Sequence, residues 1–325
     1  AGVRDREGPL IEYGRGRAVR AVVFAYHDMG IAGLEALKKA GFKITAVFSH
    51  EDDPSENCWF GSVSAWTKRN GISVFCPERI NAPEWVDRIS GFAPEAIFSF
   101  YYRSMLCRGI LDAAPRGALN LHGSLLPAYR GRSPVNWVLV NGETRTGVTL
   151  HHMIEKPDAG DIIGQRAVDI DFGDTARTLY GKLCAAAREL LAEVLPLIRI
   201  GRAPRIPQDL SKGSYFGGRR PEDGRIDWNR PAVQIYNLVR AVTDPYPGAF
   251  AFLPDGRKIM IWWAIPEVGD VPGLPPGEIG IAHGCVCVGT GAGRIRLADV
   301  ETAGFRMKND QMLQFFRNKE GMILT

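Results

Sequence analysis

Residues 18–49 read AVRAVVFAYHDMGIAGLEALKKAGFKITAVFS, and this stretch decides the fold class. Residues 18–25 are a short apolar, β-branched run of the kind that makes a buried parallel strand. Between Gly30 and Ala40, Ile31, Leu34 and Leu37 recur every three residues, as one face of a helix does. Gly41 supplies the stop, because glycine just past a helix accepts left-handed backbone at little cost. Residues 43–49 form the next strand. Further along, helices are predicted around 62–69 and 84–90, with strands at 72–75, 96–100 and 118–121. Such alternation predicts an α/β domain: a Rossmann-like, doubly wound parallel sheet with helices on both faces. Ligands of such sheets sit beyond the carboxyl ends of the strands, so the loops there are the places to look.

Residues 175–200 carry the apolar spacing of a long helix that closes this domain. A Pro- and Gly-rich stretch follows, and then short β-like runs (258–264, 286–289) behind one helix at 232–242. The expected plan is a flexible N-terminal extension (1–17), a catalytic domain (18–204), a linker (205–221), a smaller β-rich, OB-like barrel (222–315) and a tail (316–325).

Composition removes several function classes. The chain has 40 basic and 36 acidic residues, a net charge of only +4. Nucleic-acid binding would need that charge gathered into a stripe, and none is evident. No apolar run approaches the roughly 18 residues of a membrane span. The six cysteines include no CxxC pair, so reduced thiols and a cytoplasmic setting are expected. His283, Cys285 and Cys287 alternate with small residues as a half-buried strand would, and no second ligand pair follows, so no metal is expected. The loop after the first strand lacks GxGxxG, and no GxxxxGK[ST] occurs, which excludes the usual dinucleotide turn and the P-loop.

The densest polar cluster is Asn120-Leu-His122-Gly-Ser124-Leu-Leu-Pro127. In extended chain, Asn120 and His122 lie two apart and point to the same side. An imidazole can move a proton near neutral pH, and an amide N–H can steady a developing oxyanion. A strand-end histidine satisfied by a backbone carbonyl is the plainer alternative. Asp158 lies in the tight loop Lys156-Pro-Asp-Ala-Gly160; it either faces the same cleft, where it would raise the pKa of His122, or caps the turn. The run from Phe98 to Leu106 offers aromatic and apolar surface suited to a flat ring system or to a core. Arg130 and Arg132 place two guanidinium groups in a Gly-containing loop suited to carboxylate or phosphate, or simply solvated.

The motif NLHGSLLPxYRGRxP followed by a DAG loop resembles the formyltransferases that use 10-formyltetrahydrofolate, and the similarity runs from about Val19 to Ala303. FSFYYR, TGVTLH and RAVxDPxPGAF are similar to the formyltransferase halves of bifunctional enzymes acting on UDP-4-amino-4-deoxy-L-arabinose. The resemblance implies Asn120, His122 and Asp158 as the catalytic set. It also implies a folate pocket formed by Ser104, Met105, Leu106, Arg132, Ile154, Glu155, Lys156, Pro157 and Asp158, with the Met105 and Leu106 backbone reading the pterin edge. 10-Formyltetrahydrofolate is then the one-carbon co-substrate, without a metal. Tyr246, Trp228 and Arg219 are the candidates for the acceptor side.

The implied acceptor is the amine of a nucleotide-linked amino sugar, which points towards lipopolysaccharide and lipid A modification. Methionyl-tRNA formyltransferase shares the three residues, but FGGRRPEDGRIDW differs from its lysine-rich linker and Arg132 stands where a small residue is usual. A non-catalytic folate-binding protein would not need the trio. Hydrolysis of the folate to formate would use it with water, in relatives that carry a regulatory domain ahead of the catalytic one. The sequence ends at Thr325 without a decarboxylating domain, so a stand-alone formyltransferase is expected. The oligomeric state stays open, a homo-oligomer included.

Overall fold

The computed structural model describes residues 17–52, 57–269 and 273–325, so most of the expected extension lies outside the described residues. Strand and helix alternate through β1 (Arg20–Ala25), α1 (His27–Lys39), β2 (Lys43–Phe48), α2 (Val63–Arg69), β3 (Val74–Phe75), α3 (Pro83–Gly91), β4 (Ala96–Phe100), α4 (Arg108–Leu111) and β5 (Ala118–His122). The local signals act as expected. Gly41 takes φ 79° just past α1, and the Ser62 hydroxyl caps α2 by accepting the Ala65 N–H at 3.1 Å. Alternate residues of β1 feed two cores: Ala21, Val23 and Ala25 on one face of the sheet, Val22 and Phe24 on the other.

The domain continues through β6 (Arg130–Gly131), α5 (Pro134–Val140), β7 (Arg145–His152), β8 (Ile162–Asp169) and α6 (Ala176–Arg199). The main sheet has the order β3-β2-β1-β4-β5-β7-β8. It is Rossmann-like but mixed rather than parallel throughout: β7 runs antiparallel to β5, and β8 antiparallel to β7. The sequence pattern did not distinguish these directions, because a buried β-branched run reads the same in either. The reversal matters for the site, since it sets His151 of β7 directly opposite Asn120 of β5. It also leaves the loop between β7 and β8, which carries Asp158, close to the end of β5.

Residues 205–221, expected as a linker, are strapped along this domain. Ile206 and Ile162 exchange backbone hydrogen bonds at 2.8 and 2.9 Å, and β9 (Tyr215–Phe216) pairs in parallel with β6. Weak periodicity hid this, because an extended strap needs only backbone partners.

The second domain comprises α7 (Ala232–Val242), β10 (Ala249–Phe252), β11 (Lys258–Glu267), β12 (Ile279–Ala282), β13 (Cys285–Gly289), β14 (Arg294–Thr302), β15 (Phe305–Met307) and α8 (Asn309–Phe316). Its strands pair antiparallel in the order β10-β11-β14-β13-β12, with β15 beside β14; Cys285 and Cys287 lie on β13. The gap between β10 and β12 is filled by residues 322–325. Ile279 N–H donates to Met322 C=O at 2.9 Å, Leu324 N–H to Gly277 C=O at 2.8 Å, and Phe252 and Thr325 exchange bonds of 2.7 and 3.0 Å. Phe316 and Leu324 are fully buried. The segment expected as a tail is thus part of the domain's packing. Helix α7 docks it onto the first domain: the Asn136 side chain donates to Ala241 C=O at 2.7 Å, and the Tyr236 hydroxyl to Phe172 C=O at 2.5 Å.

If residues 322–325 close the barrel, Leu324→Ala costs about 2–5 kcal/mol of stability, whereas Ile323→Ala, at a half-exposed position, costs under about 0.5 kcal/mol. Denaturant titration of both variants checks this, and equal losses would contradict it.

Candidate active site

Strand β5 ends in two polar residues on one face, His122 buried and Asn120 half-buried. Leu119 and Leu121 point into the larger core, so Asn120 and His122 point the other way. Asp158 comes to them from the loop between β7 and β8. Its backbone sits at φ 51°, a left-handed conformation that aspartate tolerates better than most residues. Two features hold the loop there. Gly160 lies so close to His152 C=O that a Cβ would approach it to 2.1 Å, and Gln208 of the strap donates to Asp158 C=O at 3.0 Å and Gly160 C=O at 2.6 Å.

The Asp158 carboxylate joins four groups. Oδ2 accepts the Gly131 N–H at 2.9 Å. Oδ1 lies 3.6 Å from His122 Nδ1, 3.5 Å from His151 Nε2 and 3.4 Å from Asn120 Nδ2. Burial alone would raise this carboxyl, but His122, His151 and the Gly131 N–H outweigh it and hold it well below the usual carboxylate range. Asp158 is therefore ionised at neutral pH.

His122 is buried, 6% exposed. Its Nε2 lies 2.8 Å from Tyr129 C=O, which can only accept, so Nε2 carries the hydrogen. In the neutral ring Nδ1 is then the basic atom, facing Asp158. Tyr129 is itself fixed: its N–H donates to Ser214 Oγ at 2.8 Å, its hydroxyl to Glu143 at 2.6 Å, and its ring stacks on Phe216 at 4.9 Å. Burial pushes the imidazole pKa down, and this outweighs the opposite pulls of Asp158 and the Tyr129 carbonyl. Sequence reasoning expected Asp158 to raise His122; the structure reverses the net direction, because the ring is more deeply buried than a strand-end position suggests.

His151 is a member that sequence reasoning did not single out. It is 1% exposed. Its Nδ1 lies 2.8 Å from His152 C=O, and its Nε2 lies 3.2 Å from Asn120 Nδ2 and 3.5 Å from Asp158 Oδ1. The sequence signal was the pair His151-His152 on a strand, of which alternation turns one to each face.

Two cavities are lined by Arg132 and Ser133, the residues that follow Gly131. One, of about 700 Å³, is lined by Ser104, Met105 and Arg132 together with residues 78–84. Met105 and Ile154 are about half exposed although apolar, whereas Leu106 is buried. The Met105 carbonyl is taken by Asn81 Nδ2 at 2.9 Å, but the backbone N–H and C=O of Leu106 make no hydrogen bond among the described residues. Glu155 and Lys156 are exposed and Pro157 half-buried; Ile154 and Glu155 line a separate cavity with Arg108, Met153 and Arg205, so their expected grouping with Ser104, Met105 and Arg132 is corrected. The second cavity, of about 190 Å³, is lined by Ser133, Asn136, Arg219 and Tyr246, among others. Arg219 lies over the Trp137 ring at 4.6 Å and donates to Asp223 C=O at 2.9 Å. Trp228 is absent from this cavity. It is buried in the second domain with its ring against Gly277, so grouping it with Tyr246 and Arg219 is corrected; its place two residues after Ile226 reflects core packing. No cluster of three or more metal-ligating side chains occurs among the described residues.

Comparisons with known proteins bear on this arrangement. Residues 18–195 match the family described as Formyl transferase, and residues 219–317 the family described as Formyl transferase, C-terminal domain. Among solved structures, HypX from Aquifex aeolicus is similar over 94% of this chain at 18% identity, with a TM-score of 0.61. The chain spans only 48% of HypX. The N-formyltransferase from Helicobacter canadensis, in complex with folinic acid and dTDP-3-aminofucose, is 21% identical over 86% of this chain and 99% of its own, with a TM-score of 0.66. WlaRD, a sugar 3N-formyl transferase solved with dTDP and 5-N-formyl-THF, is 18% identical over 89% of this chain and 100% of its own, also at 0.66. At these identities the likeness to the solved structures is one of fold.

The native pKa of Asp158 lies below its unfolded value, so its contribution to stability is complete above the ordinary carboxylate range and is lost progressively as pH falls from that range to the depressed native value. Asp158→Asn is expected to lower stability at pH 7 by roughly 1–3 kcal/mol, with the deficit shrinking below about pH 4. Denaturation at several pH values checks this; a deficit that stays constant down to pH 3 would contradict it.

Proposed function

This chain belongs to the formyl transferase family, and on that premise we propose that it moves a formyl group from 10-formyltetrahydrofolate to the primary amine of a nucleotide-linked amino sugar. One observation carries the reading. Three consecutive residues tie the half-buried carboxylate to both cavities: Gly131 donates to Asp158, Arg132 lines the cavity of Ser104 and Met105, and Ser133 lines that of Arg219 and Tyr246. A donor and an acceptor bound on the two sides would meet at His122.

The first cavity suits the folate. The exposed apolar side chain of Met105 has surface for a flat ring to cover. The unpaired backbone of buried Leu106 has one donor and one acceptor for a heterocycle's edge. Arg132 offers a guanidinium for carboxylate. The second cavity, with Arg219, Ser133, Asn136 and Tyr246, suits a nucleotide's phosphate and ring. The sugar N-formyltransferases similar to this chain over nearly their whole length support the same class of acceptor. UDP-4-amino-4-deoxy-L-arabinose is the acceptor proposed first, on the motifs near the site; a role in lipopolysaccharide modification rests on that choice.

Transfer to an amine forms one C–N bond, breaks another, and places negative charge on the formyl oxygen while the tetrahedral species lasts. Asn120 contributes an amide hydrogen. Its contact with Asp158 at 3.4 Å is the longest it makes, so that donor is the one available to the developing charge. His122, neutral because it is buried, accepts the amine proton at Nδ1, and ionised Asp158 stabilises the resulting imidazolium. The same proton then passes to the departing nitrogen. Tyr129 C=O holds a hydrogen on Nε2 and fixes the ring's orientation, and Asp158 favours the form that carries a second hydrogen on Nδ1.

Mass spectrometry after incubation with 10-formyltetrahydrofolate and a panel of UDP-, dTDP- and GDP-amino sugars and methionyl-tRNA tests this. The expected result is one added formyl group on an amino sugar, with the rate in Asn120→Ala lowered on the order of a hundredfold or more. Formylation of methionyl-tRNA alone would replace the acceptor. Formate released without an acceptor would make the chain a hydrolase, and folate binding without turnover a binding protein.

A further inference from the structure

Tyr101, the first residue after β4, carries a hydroxyl whose surroundings neither the fold nor the proposed chemistry explains. The hydroxyl oxygen is shut off from solvent and has no hydrogen-bond partner among the described residues. Leaving such a group unpaired costs about 1–3 kcal/mol, so a phenylalanine would serve the packing better. The backbone is also held at φ 61°, a left-handed conformation unfavourable for an aromatic residue. Two unfavourable features at one residue beside a reaction centre point to a functional placement.

The direction of the hydroxyl is set by Gly123, the neighbour of His122. A Cβ on Gly123 would lie 2.7 Å from the Tyr101 oxygen, with the Tyr101 Cζ and Pro134 Cγ next at 3.5 and 3.6 Å. Gly123 has no positive φ, so its backbone does not demand glycine. Its missing side chain makes room for this one oxygen. Tyr180 walls the ring from behind at 5.4 Å. Pro134 is next in sequence to Ser133, which lines the cavity of Arg219 and Tyr246. Tyr102 also has a buried, unpaired hydroxyl, but its ring stacks on His50 and packs with the smaller core, with no contact to the His122 loop.

We infer that the Tyr101 hydroxyl is a specificity-determining group for the acceptor: it hydrogen-bonds a hydroxyl or amine of the sugar where the acceptor cavity meets His122. The inference rests on the proposed amino-sugar reading. A buried phenol held in its neutral form can both donate and accept, which suits a sugar with hydroxyls beside the reacting amine. An acceptor lacking the matching group leaves the phenol unpaired and is disfavoured.

Tyr101→Phe removes only this oxygen. With an amino sugar that the wild type formylates, the expected result is a roughly five- to tenfold rise in acceptor KM, an unchanged folate KM, and a Tm equal to or above the wild type. A lowered Tm would mean that the hydroxyl has a structural partner, and an unchanged acceptor KM would mean that it does not meet the sugar; either overturns the inference while leaving the function standing. A wild type that formylates none of the panel overturns both. Gly123→Ala checks the geometry separately: it should destabilise the protein, and less so when combined with Tyr101→Phe. Equal destabilisation in both backgrounds would show that the oxygen does not lie against Gly123.

Discussion

The carboxylate of Asp158 is the contact on which the site depends. It reaches across three separately folded pieces: Asn120 and His122 at the end of β5, His151 on β7, and Gly131 in β6. None of these would hold its geometry by propensity alone. The carboxylate stays ionised although half-buried, because the Gly131 N–H and the Asn120 amide donate to it in place of the water it has lost. Its own position is secured from outside, by a glycine that lets the loop close on His152 and by Gln208 of the strap. The strap thus helps to hold the Asp158 loop as well as joining the domains.

Much of this was legible from residues two apart on one strand. Asn120 and His122 share a face because a strand has period two, and Asp158 was visible as a carboxylate in a Pro-Gly loop. His151 was not, because its relation to Asn120 is a matter of antiparallel register, which no local pattern encodes. For His122 the two alternatives turned out to be compatible: the ring does satisfy a backbone carbonyl, and that bond leaves its other nitrogen to face Asp158. The direction of its pKa was misjudged because burial, a property of the assembled core, outweighs the one charge that sequence could name. The closing strand at 322–325 escaped for a related reason: an amphipathic end gives no sign of the gap it fills.

The acceptor side follows from how the domains meet. Helix α7 is fastened to α5 and to the loop before α6, and this brings Tyr246 beside Ser133 and Asn136. The second domain therefore adds a wall to a cleft whose reactive groups all come from the first. Tyr101 stands on the first domain with its hydroxyl against Gly123, beside His122. Trp228, adjacent in sequence to similar motifs, belongs to the second domain's core instead.

The central claim is that His122 rests neutral beside an ionised carboxylate, with its hydrogen on Nε2 and Nδ1 ready to take a proton. Nitrogen-15 NMR of histidine-labelled protein at pH 7, with His122 assigned by its loss in His122→Gln, reads this directly. The account predicts a protonated Nε2 and an unprotonated Nδ1. An imidazolium signal, or a hydrogen on Nδ1 alone, would contradict it.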